Sequence, residues 1–303
     1  MAKKVQSGAC AAITQHSSEL RYLELIGSTG AFKVVKQAII PLVRAGNAES
    51  IAALLSREVG SFNAPVVFGL PMRDCMIRVV EFPRMPLEEA KQALQFDFDR
   101  HFSWSYAECS VDICEVESPL TSSKDKMSML VAACRNEHVS KILQIAEKAG
   151  MKLEAIEPMN VAVLRAVIGH KNNRKEEAWH SVYSDADGMH FAFVTKNNGL
   201  LYRSSPAGIN GLFDSINEED LARAVAEIQR TISFVSNQFK GVSTDLLVLS
   251  GAIAANADIA REIENSAGLR VETVNVYEQC GVKSFNDIGP GFEAALGLCM
   301  FIA

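Results

Sequence analysis

The chain has 303 residues, 48% of them hydrophobic and 22% charged, with a formal net charge of −6. That length exceeds the usual single domain, so two lobes with separate cores are expected, and the negative balance without a dense Lys/Arg run argues against nucleic acid as a partner. No stretch reaches the ~20 consecutive apolar residues of a membrane span, and the opening MAKKVQSG lacks the apolar core of a signal peptide, which points to the cytoplasm.

In chain order, Ala9 to Thr14, Leu20 to Ile26 and Phe32 to Ile40 read as strands, followed by a helix capped by Asn47 with Ile51, Leu54, Leu55 and Val59 on one face and Gly60 as its stop. The apolar run PVVFGL (65–70) suits a buried strand of a central sheet. A different rhythm follows: strand Met76 to Phe82, helix Pro86 to Phe102, strand Ser110 to Val116, strand Met127 to Ala133, helix Asn136 to Ala149 and strand Lys152 to Ile156. This is expected to be an α+β subdomain, inserted into the first lobe at about 74–156. Its first helix carries Leu87, Ala90, Leu94, Phe98 and Phe102 on one stripe, and its second turns Val139, Ile142, Leu143 and Ala146 inward.

Helix Met159 to Ile168 then leads into HKNNRKEEA (170–178), which has no apolar period and reads as a linker. The expected division is a first lobe over 1–172 and a second over 173–303. The second lobe opens with strands His180 to Ser184, Met189 to Thr195 and Gly199 to Ser204, echoing the three that begin the chain, which predicts an internally duplicated fold. An elaboration at about 206–241 contains helix Glu218 to Phe239, whose Leu221, Val225, Ile228, Ile232, Val235 and Phe239 suit either a core helix or a self-association seam that would make a homo-oligomer. Strand Asp245 to Leu249, helix Ala257 to Ala267, strand Val271 to Val276 and a closing helix at about 290–302 complete the chain.

The seven cysteines read as reduced, buried small hydrophobes, and Cys109 and Cys114 fall on opposite faces of one strand, which spoils shared metal ligation, so no metal is expected. The six histidines show no HExxH spacing, and neither a GxSxG elbow nor a GxxxxGK[ST] loop occurs, so no catalytic residue is assigned. Phe96 and Trp104 fall off the core stripe that holds Phe98 and Phe102, and the four together suit either core filling or an apolar partner groove.

Three stretches stand where a strand turns tightly, the usual place for a phosphate loop: AITQHSSEL (12–20), YSDADGMHF (183–191) and LSGAIAANA (249–257). Five stretches make the chain resemble the PilM family: SELRYLEL (18–25), FGLPMRDCMIRVVEFPRMPLEEAKQALQFDFDRHF (68–102), MLVAACRNEHVSKILQIAEKAGMKLEAIEPMNVAVLRAV (129–167), EIQRTISFVSNQFKGVSTDLLVLSGAIA (227–254) and FEAALGLCM (292–300). These are actin-like proteins of type IV pilus assembly; the cytoplasmic part of GspL and the division protein FtsA are more distantly similar.

The resemblance implies an actin-like, ribonuclease H-like duplicated α/β fold of two lobes. It also implies a cytoplasmic scaffold that is peripheral to the inner membrane, docks the tail of a PilN-like membrane protein and meets other pilus platform proteins. In such families a DIG-type loop supplies an Asp to magnesium-bound water and a Gly to the phosphate. Aligned on RYLEL, this chain has Thr14 at the Asp and His16, next to Ser17, at the Gly; in the second lobe Tyr183 or Ser184 falls at the Asp, with Asp185 and Asp187 following. The third loop keeps Ser250 and Gly251 but brings in Ala252 and Ile253. Thr cannot supply the anionic oxygen a hard cation prefers. Each lost charge-assisted contact costs about 1.5 to 3 kcal/mol, so two or three losses weaken binding by roughly two to five orders of magnitude. The expectation is a pseudo-ATPase with no cofactor, or at most weak ATP and magnesium binding. The alternative is a nucleotide-binding ATPase or switch that uses Asp185 or Asp187.

Overall fold

The computed structural model describes residues 8–43, 46–119, 121, 123–169, 176–185, 187–206, 218–255, 257–282 and 291–302. Strands β1 (Gly8–Gln15), β2 (Glu19–Gly27) and β3 (Lys33–Pro41) form an antiparallel meander. Helix α1 (Ala48–Val59) starts where the Asn47 side chain accepts the Ser50 N–H at 2.9 Å and ends at Gly60, whose φ of 77° is the left-handed geometry that favours glycine. Strand β4 (Val66–Leu70) is buried throughout and runs parallel to β1.

A 3-10 turn (Met72–Asp74) leads into β5 (Cys75–Pro83), α2 (Leu87–His101), β6 (Cys109–Val116) and β7 (Lys126–Arg135), then α3 (Asn136–Ala149), β8 (Leu153–Pro158) and α4 (Met159–Ile168). The remainder comprises β9 (Ala178–Asp185), β10 (Gly188–Thr195), β11 (Asn198–Ser205), α5 (Glu218–Gln238), β12 (Leu246–Gly251), α6 (Ala257–Ala267), β13 (Arg270–Thr273), α7 (Val276–Gln279) and α8 (Glu293–Cys299).

Two five-stranded sheets share one plan: β3-β2-β1-β4-β8 and β11-β10-β9-β12-β13. In each, an antiparallel three-stranded meander continues into two parallel strands, so the duplication expected from the repeated opening is present as topology. The remaining strands make a separate sheet of order β5-β7-β6.

The chain changes unit not only near the expected cut at residue 172 but also after Met72, Asn136 and Thr273. One compact unit comprises Met1–Met72, Glu137–Asn173 and Val274–Ala303; the other comprises Arg73–Asn136 and Arg174–Thr273. The insert is therefore shorter than 74–156. Its last expected helix and strand belong to the first sheet, where β8 pairs parallel to β4 with Phe68 beside Ile156. Parallel neighbours need a crossover connection, and α3 serves as that crossover for β4 and β8; read locally, it has the same rhythm as the module before it. The short insert instead shares a unit with the second sheet, where Val79 and Val116 pack on a cluster of Ala178, Phe193, Leu200, Val235 and Phe239.

Smaller differences have local causes. Helix α3 buries Ile142, Ile145 and Ala146, while Leu143 is exposed, because its buried face is rotated toward Ile145. Cys114 is exposed on β6, unlike the other six cysteines, which are buried. The last strand stops at Thr273, and Asn275 caps the short α7 by accepting the N–H groups of Tyr277 and Glu278. The linker residues 170–175, residues 207–217 of the elaboration and residue 290 of the closing helix lie outside the described residues. Helix α5 uses its apolar positions for the core: Ala224 and Ile228 join one cluster, and Val235, with Phe239 just past the helix end, another. No described helix is long and apolar enough to cross a membrane.

Candidate functional site

The first sheet ends its central parallel pairing at Thr14, which lies opposite Gly69 of β4. Thr14 and His16 are both buried, and Thr14 Oγ1 lies 3.2 Å from His16 Nε2. The His16 N–H donates to the Glu19 carbonyl at 2.9 Å, which closes the turn and leaves Ser17 exposed at its tip. Across the ladder from Thr14, Arg21 pairs with Glu19 at 2.6 Å and lies 5.8 Å over the Phe292 ring.

In the second sheet the corresponding parallel pairing ends with Ser184 opposite Gly251. Register therefore makes Ser184 the counterpart of Thr14, and of the two positions the resemblance offered for the acid, Tyr183 and Ser184, it selects the second. The Ser184 hydroxyl accepts the Ile253 N–H at 2.8 Å and so holds the 3-10 turn Ala252–Ala255 that follows β12. Gly251 has a φ of 71°, and a Cβ there would meet the Ser184 carbonyl oxygen at 2.3 Å and the Tyr183 ring at 2.7 Å. Ser250 Oγ, beside it, is fully buried with no hydrogen-bond partner among the described residues.

Asp185 is the next residue along β9, and the period of two turns its side chain to the face opposite Ser184. There it accepts the Asp187 N–H at 2.8 Å and lies 3.4 Å from His190 Nε2, while His190 Nδ1 lies 2.9 Å from Ser204 Oγ. The Tyr183 ring stacks on His190 at 5.9 Å. Asp187 also pairs with Arg73 at 3.8 Å. His190 and Ser204 were not singled out in the sequence. The signal was present in the ladder, since the two residues are directly opposite, but register is set by pairing rather than by any local motif. Further down β9, His180 lies 3.1 Å from Thr244 Oγ1, and burial lowers its pKa to about 4.

The resemblance lays out magnesium-positioning acids at the ends of the two central strands, in keeping with the oxygen ligands a hard cation takes. The residues at those ends here are Thr14 and Ser184, both neutral, and the second is committed to a backbone N–H. The nearest acid in β9, Asp185, spends one carboxylate oxygen on Asp187 N–H and His190. The two strand ends thus lack the acids that the resemblance lays out for the ion.

The aromatic group of the insert divides in two. Phe98 and Phe102 stack at 4.5 Å within a core cluster that includes Ala90, Leu94, Met129 and Val131. Phe96 is 88% exposed on the outer face of α2, whereas Trp104 packs partly on that cluster and sits 5.5 Å from the Arg135 guanidinium. Phe98 and Phe102 fill the core, so the four residues do not line a common groove.

No family model and no curated protein matches the sequence. Among solved structures, a chain of the "PilM-PilN type IV pilus biogenesis complex" is similar at a TM-score of 0.80 and 18% identity, over 97% of this chain and 98% of that one. The cytoplasmic domain of EpsL, an inner membrane component of the type II secretion system of Vibrio cholerae, is similar at 0.51 and 12% identity, over 80% and 82% of the two chains. A Bacteroides thetaiotaomicron protein with an actin-like ATPase fold and unknown function is similar at 0.52 and 9% identity, over 90% and 94%. The repeated sheet order and these likenesses together show that the chain has the actin-like ATPase fold, in the form also seen in the PilM–PilN complex.

Proposed function

We propose that the chain is a non-catalytic scaffold of a type IV pilus, or of a related secretion platform, which docks the cytoplasmic tail of a PilN-like membrane protein. The observation that carries this reading is the likeness to a chain of the PilM–PilN complex over 97% of its length. The EpsL likeness supports the wider class, since that protein is an inner membrane component of a type II secretion system. On this reading the chain is cytoplasmic and reaches the inner membrane through its partner, which it captures as an extended peptide.

The absence of turnover rests on a separate argument. Thr14 and Ser184 cannot offer a hard cation an anionic oxygen, and releasing Ser184 would strand the buried Ile253 N–H. Nucleotide, if it binds, does so weakly and without hydrolysis.

Calorimetry with a synthetic PilN-like tail tests the docking: saturable binding is expected, and its absence sinks the scaffold assignment. A thermal-shift titration with MgATP tests the rest. No shift is expected at millimolar nucleotide, because only a ligand that favours the native state raises its stability. A rise of several degrees, abolished in Asp185→Ala, would establish the competing nucleotide switch.

A further inference from the structure

Cys75 is the first residue of β5 and Cys134 the last but one of β7, and the two stand directly opposite each other in the antiparallel ladder. Neither is in a disulfide, and both are buried. Directly opposed antiparallel residues have Cα atoms about 4.5 to 5.5 Å apart, within the ~4.4 to 6.8 Å that a disulfide spans. Cys109 does not compete for either thiol. It opposes Arg135, one step out of phase, and its side chain joins the α2 side of the sheet with Phe98 and Phe102.

The position is as informative as the distance. The chain leaves one compact unit after Met72 and returns to it at Glu137. Both crossings lie within three residues of this pair, so a bond between Cys75 and Cys134 would tie the incoming and outgoing strands together at the base of the insert. We propose that Cys75 and Cys134 form a redox clasp, open as two thiols and closed as a cross-strand disulfide. The chain thus carries a redox-sensitive device that is independent of whether it docks a membrane-protein tail.

The oxidant required is a hydroperoxide. The Cys75 sulfur attacks the peroxide; the O–O bond breaks, sulfenic acid forms, and water or an alcohol leaves. The Cys134 sulfur then attacks the sulfenic sulfur, the S–S bond forms, and hydroxide leaves with the thiol proton as a second water. Two thiols are oxidised and one peroxide is reduced. Burial pushes the Cys75 thiol well above its ordinary range, so closure requires the start of β5, just after the 3-10 turn, to open and is slow beside an exposed thiolate.

The test uses the unmodified full chain. It is exposed to hydrogen peroxide, denatured with a maleimide present, digested and mapped by mass spectrometry, with a parallel sample reduced by dithiothreitol. The expected result is a Cys75–Cys134 linked peptide that disappears on reduction, while Cys10, Cys280 and Cys299 remain alkylated. Recovery of both Cys75 and Cys134 as maleimide adducts, or as sulfinic acids, or linked elsewhere, would overturn the proposal. Amide exchange provides a second readout that requires no variant. Closure should slow exchange at residues 75–77 and 132–134 severalfold relative to the reduced protein, and an unchanged profile in a fully linked sample would show that the bond clasps nothing.

Discussion

The ends of β1 and β9 occupy the same place in two sheets of the same strand order, yet their hydroxyl residues are used differently. Thr14 lies against His16 inside its own turn, a bond between residues two apart. Ser184 reaches a backbone N–H in another loop, sixty-nine residues along the chain. The Thr14 bond stays within one turn, whereas the Ser184 bond ties the end of β9 to the segment after β12, and Asp185 and His190 link that end across to Ser204 on β11. A duplicated frame fixes where the strand ends fall; it does not fix what a polar side chain there holds.

The glycines opposite these two residues offer the sharpest way to break the comparison. A Cβ on Gly251 would strike the Ser184 backbone at 2.3 Å in a left-handed conformation, whereas one on Gly69 would meet only the flexible side chains of Met159 and Leu298, at 2.7 and 2.9 Å. Gly251→Ala should cost about 3 to 4 kcal/mol and Gly69→Ala only about 1 to 2 kcal/mol in denaturant unfolding. Both tryptophans, Trp104 and Trp179, lie in the unit that holds Gly251, so their fluorescence reports that loss directly, and circular dichroism reports the other. Equal losses would mean that the two strand ends are equally constrained.

Acid should also separate the units. Cys10 and His180 hold matching positions, each four residues before Thr14 and Ser184, and only the histidine can take up a positive charge. His180 titrates near 6.5 when unfolded and at about 4 when buried. Below pH 6.5 the unfolded chain gains a proton that the folded chain refuses. The stabilisation is therefore complete above about 6.5 and is lost as pH falls toward 4, by roughly 3 kcal/mol in total. Tryptophan-detected melts between pH 7 and 4.5 should show this slope, and His180→Gln should flatten it.

The smallest effects belong to the hydroxyls themselves. Ser184→Ala strands a buried N–H and should cost about 1 to 3 kcal/mol, with faster amide exchange at Ile253; Thr14→Val should cost about 1 kcal/mol or less. A larger loss at Thr14 than at Ser184 would reverse the contrast between the two hydroxyls.

These particulars also show what a sequence reveals. Asn47 and Gly60 bound α1 by local chemistry, and the repeated three-strand opening announced the duplication, because caps and periodicities are written in neighbouring residues. The extent of the insert was not legible in the same way. Whether α3 and β8 close a module or build the first sheet depends on β8 lying beside β4, a pairing between segments more than eighty residues apart that leaves no local trace. At the site, the missing acid at Thr14 could be read from an anchor a few residues away. The choice of Ser184 over Tyr183 required the ladder, and the bond to Ile253 required the turn after β12 to be folded.

The adjacency of β5 and β7 has one more consequence. The insert begins and finishes at neighbouring points, so it is attached like a cassette on a two-pronged plug. The outer part of such a cassette can be lengthened or trimmed while β4 and β8 keep their pairing, because the sheet needs only the short span between the prongs. What a replacement must preserve is the apolar underside supplied by Val79 and Val116; the outer helix, with Phe96 in the open, is free to be rewritten for a new partner.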